Sequence, residues 1–385
     1  YRTKVTNAGL DGLKRLARLE EVDLRYTRAT RSGVEALRAA LPRIRVAFLD
    51  SSARTSVPAP ARRSGDVAAW VRTMGGKATA TEISLASTAA SDAHVEFVAA
   101  AKGLKKLNLE ATEVGDLGLG KLGALRDLME LNLANTAVSD AGLAHLASLG
   151  SLRKVNLSNT YVEGGGLDAL AGLSRLVDLN LAGAPVTSRG VARLAGARAL
   201  ESLSLAYTEI DDEAIPHLRK LPALRTLDLS GADVGDDGLR SLAELTSLVH
   251  VILRDGRFTD KGVAHLAALA DLRRLDLKRT RVTDAGMEAI GKLIRLEELH
   301  LDYLEVGDAG IARLAGLASL RELSLDSTHV TDKSVAILSG LRGLEKLNLY
   351  HTLVTAKGLA QIKAALPRCA IVWDGASSLP NRRRS

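Results

Sequence analysis

The stretch LRRLDLKRTRVTDAGMEAIGKL, residues 272–293, decides the fold. Leu275 and Leu277 stand two apart, so in an extended strand they share one face. After Thr280 the period changes. In the equivalent stretches, Leu119, Leu122 and Leu125, and Leu143, Leu146 and Leu149, recur at intervals of three. That spacing suits a short helix with one buried stripe. Ser139, Thr187, Thr259, Thr283 and Thr331 are placed to cap its start. The following Asp140, Asp260, Asp284 and Asp332 suit the positive end of the helix dipole. Each unit therefore reads strand, tight turn, helix, return.

The unit is copied at fixed length. Thr88, Thr112, Thr136, Thr160, Thr208, Thr280, Thr328 and Thr352 are separated by 24 residues or multiples of 24. Ala184, Ala232, Gly256 and Leu304 fill the missing beats, giving 12 positions in one register without insertion or deletion. One unit cannot bury both of its apolar faces alone, whereas stacked units pair their strands in parallel around a continuous leucine core. Helices are wider than strands, so the stack should curve with the sheet inside. At about 4.8 Å per strand the inner arc is roughly 55 Å. The recurring Thr is expected to point inward, its hydroxyl bonded to the turn backbone, because a buried hydroxyl must be satisfied.

At this point the sequence resembles the leucine-rich repeat family. The pattern LxxLxLxxTxVTDAGLxxLxxL is similar to its cysteine-containing class, with Thr in place of Cys, and segments 104–125, 272–293 and 344–365 carry it well. The resemblance covers roughly residues 80–373 and, more weakly, 1–48. It implies an α/β solenoid, a ribonuclease-inhibitor-like horseshoe with a parallel concave sheet and convex short helices. Similar runs occur in bacterial leucine-rich repeat proteins of unassigned role and in F-box substrate receptors, but no F-box segment is present here.

The motif AALPR occurs at 39–43 and 364–368, at one offset from Thr27 and Thr352, and each copy precedes an apolar pair, Val46/Phe48 and Ile371/Trp373. This reads as one terminating repeat used twice. The expected organisation is then 1–50 as the end of a first array, with beats at Thr3 and Thr27. A Ser/Pro/Ala/Arg linker follows at 51–65, a capped array of about 12 repeats at 66–375, and a basic tail at 376–385. Val67, Trp70, Val71 and Met74 form an amphipathic stripe suited to capping the array's open start. Two repeats are too few to fold alone, so 1–50 either docks on the second array or belongs to a longer protein; a first residue of Tyr1 rather than Met hints at the latter.

Composition narrows the function. The chain has 385 residues, 46% hydrophobic and 25% charged, with net charge +7. Arg54, Arg62 and Arg63 in the linker and Arg382, Arg383 and Arg384 in the tail account for all but one of those charges. The repeats are near neutral, which disfavours nucleic acid as a partner. No apolar run is long enough to span a membrane, and no signal peptide is evident, so a cytoplasmic location is favoured. Cys369 is the only cysteine, which excludes an internal disulfide; it reads as a buried, inert thiol.

No phosphate loop, dinucleotide fingerprint, HExxH or GxSxG appears. The glycines at 75–76 and 164–166 read as turn residues. His145, His217 and His265 share one offset on the outer helices; only His329 and His351 come from adjacent turns, without a third metal ligand. No enzymatic activity, cofactor, metal or small-molecule substrate is therefore expected.

The alternating strand positions leave a concave face. Its first half is small or amide-rich: Asn108, Asn132, Ala134, Asn156, Ser158, Asn180, Ala182 and Ser204. Its later half carries a basic band, His250, Arg254, Arg274, Lys278 and Arg279, beside an acidic band, Glu298, His300, Asp302, Glu322 and Asp326, with Lys346 beyond. Tyr207, Tyr303, Tyr350 and His351 stand just before the beat, at the strand exit. Tyr and Arg are favoured interface anchors. Two readings remain open. The charges can neutralise one another across strands, or they can be the footprint of a protein or peptide partner, lost on charge reversal at Arg254, Arg274 and Asp302. The leading function is a non-catalytic protein-interaction scaffold. The alternative is the recognition or regulatory segment of a larger enzyme, a kinase or a ubiquitin-ligase-like effector, whose catalytic domain lies outside this chain.

Overall fold

The computed structural model describes residues 10, 12–16, 19, 21–24, 31–42, 44–47 and 67–376. Thr3, Thr27, the segment 51–65 and residues 377–385 lie outside the described residues. Among the described residues there are two sheets. The smaller pairs the strands Glu21–Asp23 and Arg45–Ala47 in parallel, 24 residues apart, over a cluster of Leu10, Leu24, Val34, Leu37, Leu41 and Ile44.

The larger sheet has 14 strands in strict sequence order, from Lys77–Ala78 to Ala370–Trp373. Its first pairing, Lys77–Ala78 with Glu82–Ser84, is antiparallel. Every later pairing is parallel and offset by 24 residues, as in Leu107↔Leu131, Leu275↔Leu299 and Leu347↔Ile371. The paired leucines point into one continuous core: Leu275 and Leu277 are buried, as are their counterparts in the neighbouring repeats. Each such leucine contributes about 1.5–3 kcal/mol on burial, a gain that a lone repeat cannot realise because its neighbours form the other walls.

The return segments are tighter than the expected α-helical stripe. Several consist of one α turn followed by a 3₁₀ segment: Asp140–Leu143 then Ala144–Ser148, and Asp260–Val263 then Ala264–Ala268. The interval of three in the apolar residues is the 3₁₀ period itself, in which residues three apart eclipse.

Two polar ladders lock the stack. Where the beat is threonine, its hydroxyl donates to the carbonyl three residues earlier, as from Thr160 to Leu157 at 2.6 Å and from Thr352 to Leu349 at 2.7 Å. Between units, the aspartates assigned above to the helix dipole also reach forward into the next repeat. Asp260 accepts the Thr283 N–H at 2.8 Å, its hydroxyl at 2.7 Å and the Gly286 N–H at 3.0 Å. Asp236 does the same to Thr259 and Gly262. A Cβ on Gly286 would stand 2.6 Å from the Asp260 carboxylate, so the Asp-x-Gly spacing is a fitted joint between units. Where Gly256 replaces the beat threonine, the large Phe258 ring packs against it and fills the space.

The ends are closed by apolar residues. The helix Val67–Thr73 buries Trp70 and Val71, and Trp70 stacks on His94 at 5.9 Å. At the other end the helix Ala356–Ala365 precedes the strand Ala370–Trp373, and Trp373 donates its indole N–H to the Val354 carbonyl at 2.8 Å. Both this helix and Arg31–Ala40 run ten residues and end within an AALPR motif. Cys369 is half-buried, not fully enclosed, and packs against the core; burial pushes its thiol pKa up. Among the described residues no helix is long and apolar enough to cross a membrane.

Candidate functional site

Each strand leaves the sheet through a turn whose second-to-last residue, the one before the beat, has a left-handed backbone. The φ angles are +56° at Tyr207, +56° at Asp255, +55° at Arg279, +63° at Tyr303, +56° at Ser327 and +51° at His351. This conformation aims the turn N–H at the next repeat: Tyr207 donates to the Ser230 carbonyl at 2.7 Å and Tyr303 to that of Asp326 at 2.9 Å. Gly183 and Gly231 fill the same place at +71° and +63°. Tyr207, Tyr303 and His351 share this turn position. Tyr350 lies one residue earlier, on the outward side of the strand end, so the expected grouping of all four at one position is corrected. The two neighbours still meet, since the Tyr350 and His351 ring centroids are 3.8 Å apart.

These turn side chains form an exposed ridge. The Tyr207 ring lies over Gly231, where any Cβ would collide with it, and its hydroxyl donates to Asp255 Oδ2 at 2.8 Å. Asp255 Oδ1 in turn pairs with Arg279 at 2.8 Å. The Asp255 hydrogen bond and burial together hold the Tyr207 phenol protonated to higher pH than usual. Next along the ridge stands Tyr303, 55% exposed. Asp255 was not among the expected site residues; its phase, one before a beat, was the available signal.

Beside the ridge the expected basic and acidic bands interlock. Arg254 reaches Asp276 at 2.6 Å, Arg274 reaches Glu298 at 3.1 Å and Lys278 reaches Asp302 at 3.0 Å. His300 lies between two carboxylates, 3.1 Å from Asp276 and 3.2 Å from Glu322, and Glu322 also binds Lys346 at 2.9 Å. His351 approaches Asp326 at 3.4 Å. Asp276 is only 3% exposed. Burial alone would raise its pKa, but hydrogen bonds from His300, Arg254 and the Lys278 N–H outweigh burial and hold it at about 2. The Asp276 hydrogen bond raises the His300 pKa against burial. His250 moves the opposite way, pushed down by burial and by Arg274.

Asp302 is also 3% exposed. One oxygen takes the Ser324 hydroxyl and the Asp326 N–H; the other sits in the Lys278 ion pair without a well-aligned hydrogen bond. Asp302 therefore positions Lys278 and the adjoining strand, and reversing its charge would disturb folding as well as any contact. Among the described residues no group of three or more His, Cys, Asp or Glu side chains is arranged to hold a metal ion.

Residues 220–243 and 269–291 match the family model described as leucine-rich repeat. No curated protein matches in sequence. Among solved structures, an internalin (inlF) from Listeria monocytogenes is 21% identical with a TM-score of 0.58, over 83% of this chain and 98% of its own. A leucine-rich repeat protein of Leptospira interrogans is 16% identical with a TM-score of 0.49, over 93% and 91%. The first similarity, together with the sheet geometry, establishes the architecture: a leucine-rich repeat solenoid with a parallel concave sheet and short convex helices.

Proposed function

We propose that this chain is a non-catalytic scaffold that binds a protein or peptide on the concave sheet between residues 207 and 351. The partner meets the ridge of Tyr207, Arg279, Tyr303, Tyr350 and His351, while Arg254, Arg274, Lys278, His300 and Glu322 form a rigid charged floor beside it. One observation carries this reading. The twelve turns share this left-handed position; those before residue 207 fill it with Ser87, Ala111, Asn135, Asn159 and Gly183, whereas Tyr207, Arg279, Tyr303 and His351 place large side chains there. A side chain with a Cβ costs roughly 1–2 kcal/mol there relative to glycine, and Tyr303 gives no such cost back through burial, being more than half exposed. Ser, Ala and Asn fill the same position in the earlier repeats, so the turn itself needs no large side chain, and Tyr and Arg are residue types favoured as interface anchors.

The test uses peptides selected on the intact chain from a random display library. Tyr303→Gly and Arg279→Gly should weaken ridge-directed peptides by about tenfold or more, equivalent to 1.4 kcal/mol. The paired change His145→Ala and His265→Ala on the helical face should leave them unchanged. Loss of binding confined to the helical-face variant would place the site on the wrong side of the solenoid.

A further inference from the structure

The first half of the sheet carries a hollow of about 670 Å³ lined by residues between Lys77 and Asn180. Its floor is a row of asparagines in register on adjacent strands: Asn108, Asn132, Asn156 and Asn180. Each uses its side-chain oxygen internally, accepting the backbone N–H two residues on at 2.9–3.0 Å. That bond fixes the amide and turns its NH₂ group away from the backbone. Asn132 spends its NH₂ on Glu110 at 3.1 Å. The NH₂ groups of Asn108, Asn156 and Asn180 have no partner among the described residues and border the hollow.

The charges lining the hollow beside this row cancel, three against three. Glu82, Glu130 and Asp178 face Lys77, Lys106 and Lys154, and Lys106 is held between Glu82 and Glu130 at 3.4 and 3.6 Å. The sequence reading of a small, amide-rich surface overlooked these strand-start charges. A balanced rim gives a ligand of strong net charge no net Coulomb attraction, while fixed amide donors call for a ligand with a row of acceptors. A polypeptide main chain supplies one carbonyl per residue regardless of side chain.

We propose that this hollow binds an extended, uncharged polypeptide segment through its main-chain carbonyls, with Asn108, Asn156 and Asn180 as donors. The inference rests on the reading that the concave sheet binds polypeptide, and it divides that sheet in two: the amide floor holds backbone, and the ridge near Tyr303 recognises side chains.

The same display selection tests it. The triple variant Asn108→Asp, Asn156→Asp and Asn180→Asp keeps the acceptor that caps the backbone, as Asp228 and Asp276 do at the same strand position with Ser230 and Lys278, but removes the outward donors. Among selected peptides a class without Asp, Glu, Lys or Arg should appear that binds the wild type, loses about tenfold or more in the triple variant and is indifferent to Tyr303→Gly. Absence of that class, or indifference of every uncharged peptide to the triple variant, overturns the proposal. Asparagine-dependent binding of chitohexaose without any such peptide class would assign the hollow to glycans and overturn it as well. If only Tyr303-dependent peptides emerge, the hollow falls while the ridge stands; if only asparagine-dependent peptides emerge, the ridge falls.

Discussion

Tyr303 carries the sharpest residue-scale consequence. Replacing it with glycine removes a Cβ from a backbone at φ +63°. The variant should be more stable than the wild type by about 1 kcal/mol in chemical unfolding, while losing ridge-directed binding. Loss of stability would mean that the side chain serves the fold instead. His300 gives a second test. Its pKa is raised by the Asp276 hydrogen bond, so its contribution is fully present below the unfolded value near 6.5 and is lost as pH rises through the raised folded value. The stability gap between wild type and His300→Gln should therefore be wider at pH 5.5 than at pH 9. Asp276 works in the opposite sense: its depressed carboxyl, at about 2, stabilises above its unfolded pKa near 3.9 and stops doing so as pH falls toward 2. Ring-proton NMR of His300 should show a midpoint above 6.5 that moves back toward it in Asp276→Asn. An unchanged midpoint would disprove the assigned cause. The bands themselves were legible from sequence, but their pairing was not. Which charge meets which depends on rotamers reaching across strands, and the burial of Asp302 depends on Lys278 and Ser324 covering it.

At the scale of the element, the joint between repeats matters more than any single helix. Asp260→Ala strands the N–H groups of Thr283 and Gly286, and leaving buried donors unmade costs about 1–3 kcal/mol. Denaturant unfolding should show that loss, and hydrogen exchange should quicken first at residues 283–286. Exchange that quickens uniformly, or not at all, would contradict the forward reach of the aspartate. The 24-residue repeat displayed both halves of this joint, Asp284 and Gly286 in one unit and Asp260 and Gly262 in the unit before. A reading confined to one unit assigns Asp to its own helix dipole, because the acceptor's true donors lie 23 and 26 residues away. The 3₁₀ turns were legible in the same limited way: the interval of three was visible, but helix type follows from how closely the neighbouring repeats crowd the return segment.

For the whole molecule the repeat length is the governing quantity. Strand order, parallel pairing and the inward leucines were all legible, because a fixed interval leaves one way to stack; the antiparallel first strand, Lys77–Ala78, lies outside the repeat and was not. Deleting residues 137–160, one full interval, should preserve cooperative unfolding and circular dichroism per residue, whereas deleting 137–148 should abolish cooperative unfolding by placing a helical stripe against the strand register. Equal tolerance of both deletions would rule out an indexed stack. The functional claim is that such a stack exists to hold one face rigid for a partner. Hydrogen exchange on the intact chain, with and without a ridge-selected peptide, tests it most directly. Slower exchange around residues 279–280 and 303–304, with 264–268 and 308–313 unchanged, is the predicted result; slowing on the helical segments with the turns unaffected would contradict it.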